Sequence, residues 1–169
     1  MVAPIAEPTI PAKNIRPKNS LSDASDGLTS IAYSPSGKKI AAAGYDKTIY
    51  IWQVGDSDGH LLLSLIADED SILALAWTPD GKTLITSSSD GSIRVREAAT
   101  LDPVAVIDHQ PDWVEALSVS PDGSRLAAGR FNGTVSLFDM KSFKEVMGPW
   151  VAFTPQGPAE KGLEQTASR

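Results

Sequence analysis

The chain has 169 residues, enough for one ordinary domain and too few for two. Its hydrophobic residues (41%) and charged residues (21%) occur at the frequencies of a globular protein, and the absence of cysteine excludes disulfides, thiolate metal sites and a cysteine nucleophile. A net charge of −6 disfavours attraction to nucleic acid or an anionic membrane. The first seven residues lack the basic and apolar stretches of a secretory signal, so we expect a cytoplasmic protein.

Three segments of the chain share one pattern of turn residues. Each contains a Ser/Thr-Pro-x-Gly tetrad, and Pro35, Pro79 and Pro121 recur at intervals of 44 and 42 residues. In each segment an apolar residue stands seven positions before the proline, and an Asp or Asn stands eleven positions after it. Constant spacing within the segments predicts one structural unit that is copied three times.

Short runs rich in β-branched residues, interrupted by Pro and Gly, predict strands and disfavour helices. We predict four strands in each repeat. They lie at 28–33, 39–43, 48–52 and 61–66 in the first repeat, at 72–77, 83–87, 92–96 and 103–107 in the second, and at 114–119, 125–129, 134–138 and 143–147 in the third.

Turn residues separate these predicted strands. The tetrads predict tight turns after each first strand, because proline presets φ at the second turn position. Asp90-Gly91 and Asn132-Gly133 are typical of hairpin turns that need a positive φ. Lys47 takes the place of this glycine in the first repeat, where it is a less favourable residue.

Two stretches of the chain carry a family resemblance. They are ILALAWTPDG at 72–81 with LITSSSDGSIRV at 84–95, and VEALSVSPDG at 114–123 with LAAGRFNGTVSLFD at 126–139. Both closely resemble the WD40 repeat, and the resemblance covers about residues 28–147. It implies an all-β fold: a partial β-propeller of three four-stranded antiparallel blades, with the start of a fourth.

The chain departs from the family pattern at the residues that lock each blade. The family's Trp-Asp pair stands here as Trp52-Gln53, Arg96-Glu97 and Phe138-Asp139, and its Gly-His pair has one counterpart, Asp108-His109. No repeat keeps the family's full His, Ser/Thr, Asp and Trp set, so we expect apolar burial to hold the blades together. The residues to which the resemblance gives a structural turn or blade-lock role are Asp46, Trp52, Asp90, His109 and Asn132.

Three blades are too few to close a propeller, which takes about four to eight. The predicted divisions are a Pro-containing linker at 1–24, blades at 25–68, 69–109 and 110–148, and a fourth-repeat remnant with a polar tail at 149–169. Three explanations stay open: a fragment of a longer propeller, an arc that pairs with its own copy to give six blades, or a three-bladed stack that stands alone.

The turns between second and third strands and the loops between blades are expected to share one rim. The rim residues that we predict to contact a partner are Tyr45, Asp112, Trp113, Arg130 and Phe131, because exposed aromatic and arginine side chains dominate interface energetics. The alternative is that these aromatic side chains cover turns or pack between blades. The acidic run at 68–70 is interpreted as a solvated loop rather than a site for basic peptides.

No catalytic or phosphate-binding motif stands in the sequence, so we expect neither an enzyme nor a cofactor or metal site. The leading hypothesis is a non-catalytic scaffold that binds protein or peptide partners through its rim loops. Self-association to complete a propeller is a second kind of partnership, and nucleic acid and membrane partners are not expected. The alternative function is a sensory or regulatory propeller segment of a larger kinase, ATPase or cytochrome-like protein.

Overall fold

The computed structural model describes residues 20–55, 59–107 and 110–151. This part of the chain contains twelve β-strands and no helix. The strands are β1 (Leu28–Tyr33), β2 (Lys39–Gly44), β3 (Thr48–Gln53), β4 (His60–Ile66), β5 (Ile72–Trp77), β6 (Thr83–Ser88), β7 (Ile93–Glu97), β8 (Pro103–Ile107), β9 (Val114–Val119), β10 (Arg125–Arg130), β11 (Thr134–Asp139) and β12 (Glu145–Val151). The described residues therefore include no helix that could cross a membrane.

The strands form three antiparallel sheets of four, each in chain order. We call these sheets blade 1 (β1–β4), blade 2 (β5–β8) and blade 3 (β9–β12). The first strands of neighbouring blades lie against each other, since β1 contacts β5 and β5 contacts β9. The predicted all-β partial propeller of three four-stranded blades is confirmed.

The predicted strands agree with the observed ones to within a residue or two, except at the end of blade 3. The last strand was expected at 143–147, whereas β12 spans Glu145–Val151. Phe143 has a φ of 54° and donates its N–H to Asp139 O at 2.8 Å, so it belongs to the turn before the strand. β12 also includes three residues of the predicted fourth-repeat remnant, Pro149, Trp150 and Val151. The rest of that expected repeat, 152–169, lies outside the described residues.

The tetrads form the predicted tight turns. In each, the glycine N–H donates to the carbonyl oxygen three residues earlier, at 2.8 to 2.9 Å. Gly37, Gly81 and Gly123 have φ values of 70°, 70° and 73°, which a residue with a β-carbon adopts only under strain. The turns between second and third strands also need a positive φ, and Lys47 (65°) adopts it where blades 2 and 3 use glycine.

Apolar side chains fill the two spaces between the blades. The residues buried between blades 1 and 2 are Ala41, Ala43, Ile49, Ile51, Ala67, Ile72, Leu75, Trp77, Leu84, Ala98 and Leu101. Those between blades 2 and 3 are Ile85, Ile93, Val95, Val114, Leu126, Ala128 and Phe138. Full burial of one such Ile, Leu or Val side chain contributes about 1.5–3 kcal/mol, so these two layers supply much of the stability.

Hydrogen bonds between blades tie the first strands to their neighbours. Thr29 Oγ1 donates to Ile72 O at 2.6 Å across the space between blades 1 and 2. Ser87 Oγ donates to Val114 O at 2.7 Å across the next one. These bonds satisfy polar groups beside the apolar layers, so the blades meet in a defined register.

Candidate functional site

One backbone hydrogen bond recurs in all three blades and shapes the predicted rim. In each blade the turn after the second strand donates to the residue just before the first strand. The bonds are Tyr45 N to Gly27 O (3.0 Å), Ser89 N to Ser71 O (2.9 Å) and Phe131 N to Trp113 O (2.9 Å). Turn and interblade loop are therefore joined at the same edge of every blade, as the sequence predicts.

Three aromatic side chains stand exposed on this edge. Tyr45 is 57% exposed, Trp113 50% and Phe131 68%. The rings of Trp113 and Phe131 lie 6.3 Å apart with a tilt of 56°. Asp112 accepts a hydrogen bond from the backbone N–H of Trp113 at 2.8 Å, which helps to set the loop that presents the indole. We call Tyr45, Asp112, Trp113 and Phe131 the rim surface.

Arg130 is not part of the exposed edge. It is 6% exposed, and its guanidinium donates to Ser136 Oγ and to Gln110 Oε1, both at 2.8 Å. The sequence analysis placed Arg130 beside Phe131 among the exposed contacts. Because side chains alternate along a strand, the last residue of β10 points into the blade while its neighbour in the turn points outwards.

Blade 1 is locked by a carboxylate at its turn. Asp46 accepts hydrogen bonds from Tyr50 Oη (2.8 Å), Thr48 N (3.1 Å) and Ser25, through both N and Oγ (3.1 Å). Burial of Asp46 opposes its ionisation, but these donors together outweigh burial and lower the pKa of the carboxyl group. The turn is thereby bound both to β3 and to the chain before β1.

Trp52 completes the blade 1 lock. Its Nε1–H donates to Asp23 Oδ2 at 2.6 Å, and its ring stacks on Tyr50 with centroids 5.5 Å apart. Ala24 packs against the same cluster. Asp23 and Ala24 are therefore held against the blade, although they fall within the linker predicted at 1–24. Residues 1–19 of that linker lie outside the described part.

Blade 2 uses charged groups in the corresponding place. The side chain of Asp68 is 1% exposed and accepts a hydrogen bond from Arg94 Nη1, which also pairs with Asp90 Oδ2 at 2.8 Å. Thr86 Oγ1 donates to the other oxygen of Asp68 at 3.4 Å. The interpretation of 68–70 as a solvated loop is therefore wrong for Asp68, whose carboxylate is drawn in by the arginine, whereas Glu69 and Asp70 are exposed.

The electrostatics of blade 2 follow from this burial. Burial raises the pKa of Asp68, and the neighbouring Arg94 and Arg96 only partly oppose that shift. Burial also acts to raise the pKa of Asp90, but hydrogen bonds from Ser92 and Arg94 outweigh it and lower that pKa. The carboxylates of Asp68 and Asp90 thus both pair with Arg94 but lie in different environments. Through these two pairs, Arg94 joins the loop between blades 1 and 2 to the turn between β6 and β7.

Arg96 occupies the position of Trp52 and Phe138. Its guanidinium donates to Ala67 O and, at 3.2 Å, to Leu101 O. Burial lowers the pKa of Arg96, although the charge of Asp68 opposes that shift. The long side chain therefore ties blade 2 to the loop before it, as the indole of Trp52 ties blade 1.

Blade 3 keeps its turn amide, and the bonds from Arg130 to Gln110 and Ser136 join its loop to β11. Asn132 Oδ1 accepts hydrogen bonds from Thr134 N (3.0 Å) and Thr134 Oγ1 (2.7 Å). Phe138 is 3% exposed and packs between the blades. His109, the expected blade-lock histidine, lies outside the described residues.

The sequence analysis missed Asp23, Tyr50, Asp68 and Arg94 as members of these networks. Residues 94 and 96 share one face of β7, so two arginines face one way on a strand whose Ile93 and Val95 are buried. Two partly buried arginines need a carboxylate to compensate their charge. The acidic run at 68–70, which begins 26 residues before Arg94, was the signal in the sequence that could have indicated it. Across 20–55, 59–107 and 110–151, no three His, Asp or Glu side chains are grouped closely enough to hold a metal ion.

Comparison with known proteins agrees with this architecture. The family described as "WD domain, G-beta repeat" matches three times, at residues 15–53, 57–96 and 101–139. Each match ends at the third strand of a blade and begins before its first strand, so it includes the loop that carries the lock.

Several curated proteins are similar to this chain. WD repeat-containing protein SL1-17 of Schistosoma mansoni is 28% identical over 116 residues, which are 69% of this chain and 38% of that protein. THO complex subunit 3 of Arabidopsis thaliana is 27% identical over 142 residues, or 82% and 44%. Protein groucho of Drosophila melanogaster is 26% identical over 119 residues, or 70% and 16%.

The chain spans less than half the length of each of these relatives. The family matches nevertheless cover more than half of the chain, and each ends at the third strand of one of the three observed blades. On repeats, fold and similarity together, the chain belongs to the WD domain, G-beta repeat family.

Proposed function

We propose that this chain is a non-catalytic scaffold that binds a protein or peptide partner through the rim surface. The observation that carries the proposal is the group of exposed aromatic side chains on the joined turns and loops. Trp and Tyr are enriched among residues that dominate binding energy, because they bury a large area with few rotatable bonds.

The rim surface is supported by a rigid framework. The repeated backbone bonds hold Tyr45, Trp113 and Phe131 on turns of defined shape. A pre-organised contact surface loses little conformational entropy when a partner binds. The exposed acidic residues on neighbouring loops, Glu69 and Asp70, favour a partner segment that combines apolar and basic side chains.

The polar groups near this surface favour a structural role. The carboxylates of Asp46 and Asp90 already accept hydrogen bonds from their own turns, and those bonds lower the pKa of each. A general base needs a pKa near the working pH and a free lone pair toward a substrate. These carboxylates have instead the lowered pKa and the local partners of turn residues.

The kind of partner follows from charge and family. A net charge of −6 disfavours nucleic acid and anionic lipid and leaves proteins and peptides as the favoured class. One relative's name, THO complex subunit 3, describes a member of a complex, which suits the same role. A chain without cysteine suits a reducing compartment, and the cytoplasmic location stays a prediction.

A second candidate is a regulatory propeller segment of a larger protein. It is favoured by the length of the relatives, of which this chain covers 38%, 16% and 44%. In this case the rim surface binds another domain of the same protein rather than a separate partner.

The proposal can be tested by selecting peptides that bind the purified chain and measuring their affinity by calorimetry. We expect the double variant Trp113→Ala, Phe131→Ala to weaken binding at least about tenfold. The matched control is Val104→Ala, Val106→Ala, which removes exposed apolar groups from β8 and leaves the affinity unchanged. Equal affinity in the rim variant and the wild type would contradict the proposal.

A further inference from the structure

Each blade has a following face, which in blades 1 and 2 packs against the next blade along the chain. Residues related by the repeat intervals of 44 and 42 occupy equivalent positions on it. In blade 1 this face is made by Ala41, Ala43, Ile49 and Ile51, in blade 2 by Ile85, Ser87, Ile93 and Val95, and in blade 3 by Ala127, Gly129, Val135 and Leu137. All members are 0–1% exposed in blades 1 and 2. Their equivalents in blade 3 are only half-buried, because no described blade covers them.

Blade 3 extends this uncovered apolar face to its outer strand. Val135 is paired with Trp150, and Leu137 with Met147, so all four side chains lie on the same side of the sheet. Trp150 is 45% exposed and Met147 is 54% exposed. The following face of blade 3 is thus a continuous, partly exposed apolar patch. Its equivalents on the second and third strands of blades 1 and 2 are buried. Those on the outer strands are partly buried at Leu63, Ala105 and Ile107 and 38% exposed at Leu65.

The opposite side of each sheet is its leading face, which in blades 2 and 3 packs against the blade before it. In blade 2, the first-strand residues of this face are Ile72 (0% exposed), Leu75 (6%) and Trp77 (9%). Their equivalents in blade 1 are Leu28 (45%), Ile31 (65%) and Tyr33 (66%). The leading face of blade 1 therefore exposes apolar residues whose equivalents in blade 2 are buried against blade 1.

The described chain before blade 1, residues 20–27, leaves this leading face open. The bond from Tyr45 N to Gly27 O matches the bonds that join blades 2 and 3 to their interblade loops. Asp23 lies 44 residues before Ala67, and each accepts a hydrogen bond from the side chain at the Trp52 position of its own blade. The segment at 23–27 thus follows the path of an interblade connection, as if another blade preceded it.

We propose that two copies of this chain associate head to tail, the leading face of each blade 1 seated on the following face of the other copy's blade 3. The internal repeat points to a second copy as the partner. The two exposed faces are equivalent to faces that already pack against each other between blades 1 and 2 and between blades 2 and 3. Two copies give six blades, within the range of about four to eight that closes a propeller. The two contacts are equivalent by two-fold symmetry, and each joins different faces.

The first test is the mass of the purified full chain in solution, measured by light scattering over a wide range of concentration. The expected result is twice the chain mass of 17.9 kDa. A single-chain mass would overturn the proposal and would leave both faces to residues 1–19, to residues 152–169 or to a blade of another chain. A mass above two chains would overturn the two-copy ring.

The second test uses one charge on each face. Ile31→Asp alters the leading face and Met147→Asp the following face, and both positions are exposed enough for the variants to fold. Each variant alone is expected to be monomeric, because both contacts of the ring are damaged. Mixed in equal amounts, they retain one intact contact and are expected to form a two-chain species. Val104→Asp, on β8 of blade 2, is the matched control and is expected to remain a dimer.

The mixing result decides the pairing of faces. If Ile31→Asp alone stays dimeric, or if the mixture stays monomeric, the head-to-tail contact is wrong. Circular dichroism shows whether each variant keeps its strands. Peptide binding at the rim surface is measured separately, so failure of either proposal leaves the other intact.

Discussion

Blades 1 and 2 lock the same junction with different chemistry. In blade 1, neutral donors from Tyr50 and Trp52 bind carboxylates, and the Asp23 carboxylate is exposed. In blade 2, Asp68 is buried between arginines and depends on them for compensation. The backbone hydrogen bond that joins the turn to the preceding loop is present in both blades. We therefore expect the two blades to differ in how much stability a substitution in the lock costs. Loss of one partner of a buried ion pair leaves an uncompensated buried charge and strongly destabilises the protein. Loss of a hydrogen bond from a neutral donor to an exposed carboxylate costs less.

The largest loss of stability is expected for Asp68→Ala in blade 2. The substitution leaves Arg94 and Arg96 without their shared carboxylate, and we expect the free energy of unfolding to fall by about 3 kcal/mol. Urea denaturation followed by circular dichroism measures it. The matched control is Glu69→Ala, an exposed acidic neighbour, for which a change within about 0.5 kcal/mol is expected. Equal losses in both variants would show that the burial of Asp68 contributes nothing.

The same junction in blade 1 is tested by Trp52→Phe. This substitution keeps an aromatic ring beside Tyr50 but removes the Nε1–H donor to Asp23, so we expect a loss of about 1–2 kcal/mol. Thermal unfolding of Trp52→Phe and of Trp113→Phe, whose ring is half exposed, provides the comparison. A larger loss in Trp113→Phe would contradict the lock.

The smallest effect concerns the turn that follows the second strand. Lys47 and Gly91 are equivalent, with φ values of 65° and 85°. Lys47→Gly relieves strain but loses the bond from Lys47 Nζ to Glu69 O, so we expect a gain of about 0.5 kcal/mol.

Gly91→Ala is the reverse change in blade 2. A β-carbon there would meet nothing closer than Gln110 O at 4.0 Å, so strain at positive φ is the main cost, about 1 kcal/mol. Chemical denaturation of both variants gives the two signs. The same sign in both would mean that φ is not the deciding factor.

Much of the fold was predictable because the repeat makes each segment evidence for the other two. Pro35, Pro79 and Pro121 align the first strands, and the Gly-containing turns that follow end them. The exposed aromatic residues of the rim were also predictable, since Tyr45 and Phe131 occupy equivalent turn positions. Strand alternation then assigns the remaining side chains to one face or the other.

The lock residues could not be found in this way, because their partners lie far along the chain. Asp23 meets Trp52 across 29 residues, and Asp68 meets Arg94 across 26. The pattern within a repeat predicts a solvated acidic loop at Asp68, whereas the burial of its carboxylate depends on Arg94 and Arg96 of the same blade. Arg130 was misplaced for a related reason, since its partners Ser136 and Gln110 become neighbours only when the sheet forms.

The order of strands within each sheet has a consequence for how the chain folds. Within each sheet, every strand pairs with the strand next to it in sequence, from β1–β4 to β9–β12. Closing such pairs requires only short loops, which makes formation of each blade fast. During synthesis, blade 1 can therefore assemble before the residues of blade 3 have left the ribosome, and each completed sheet becomes the surface on which the next one is laid down.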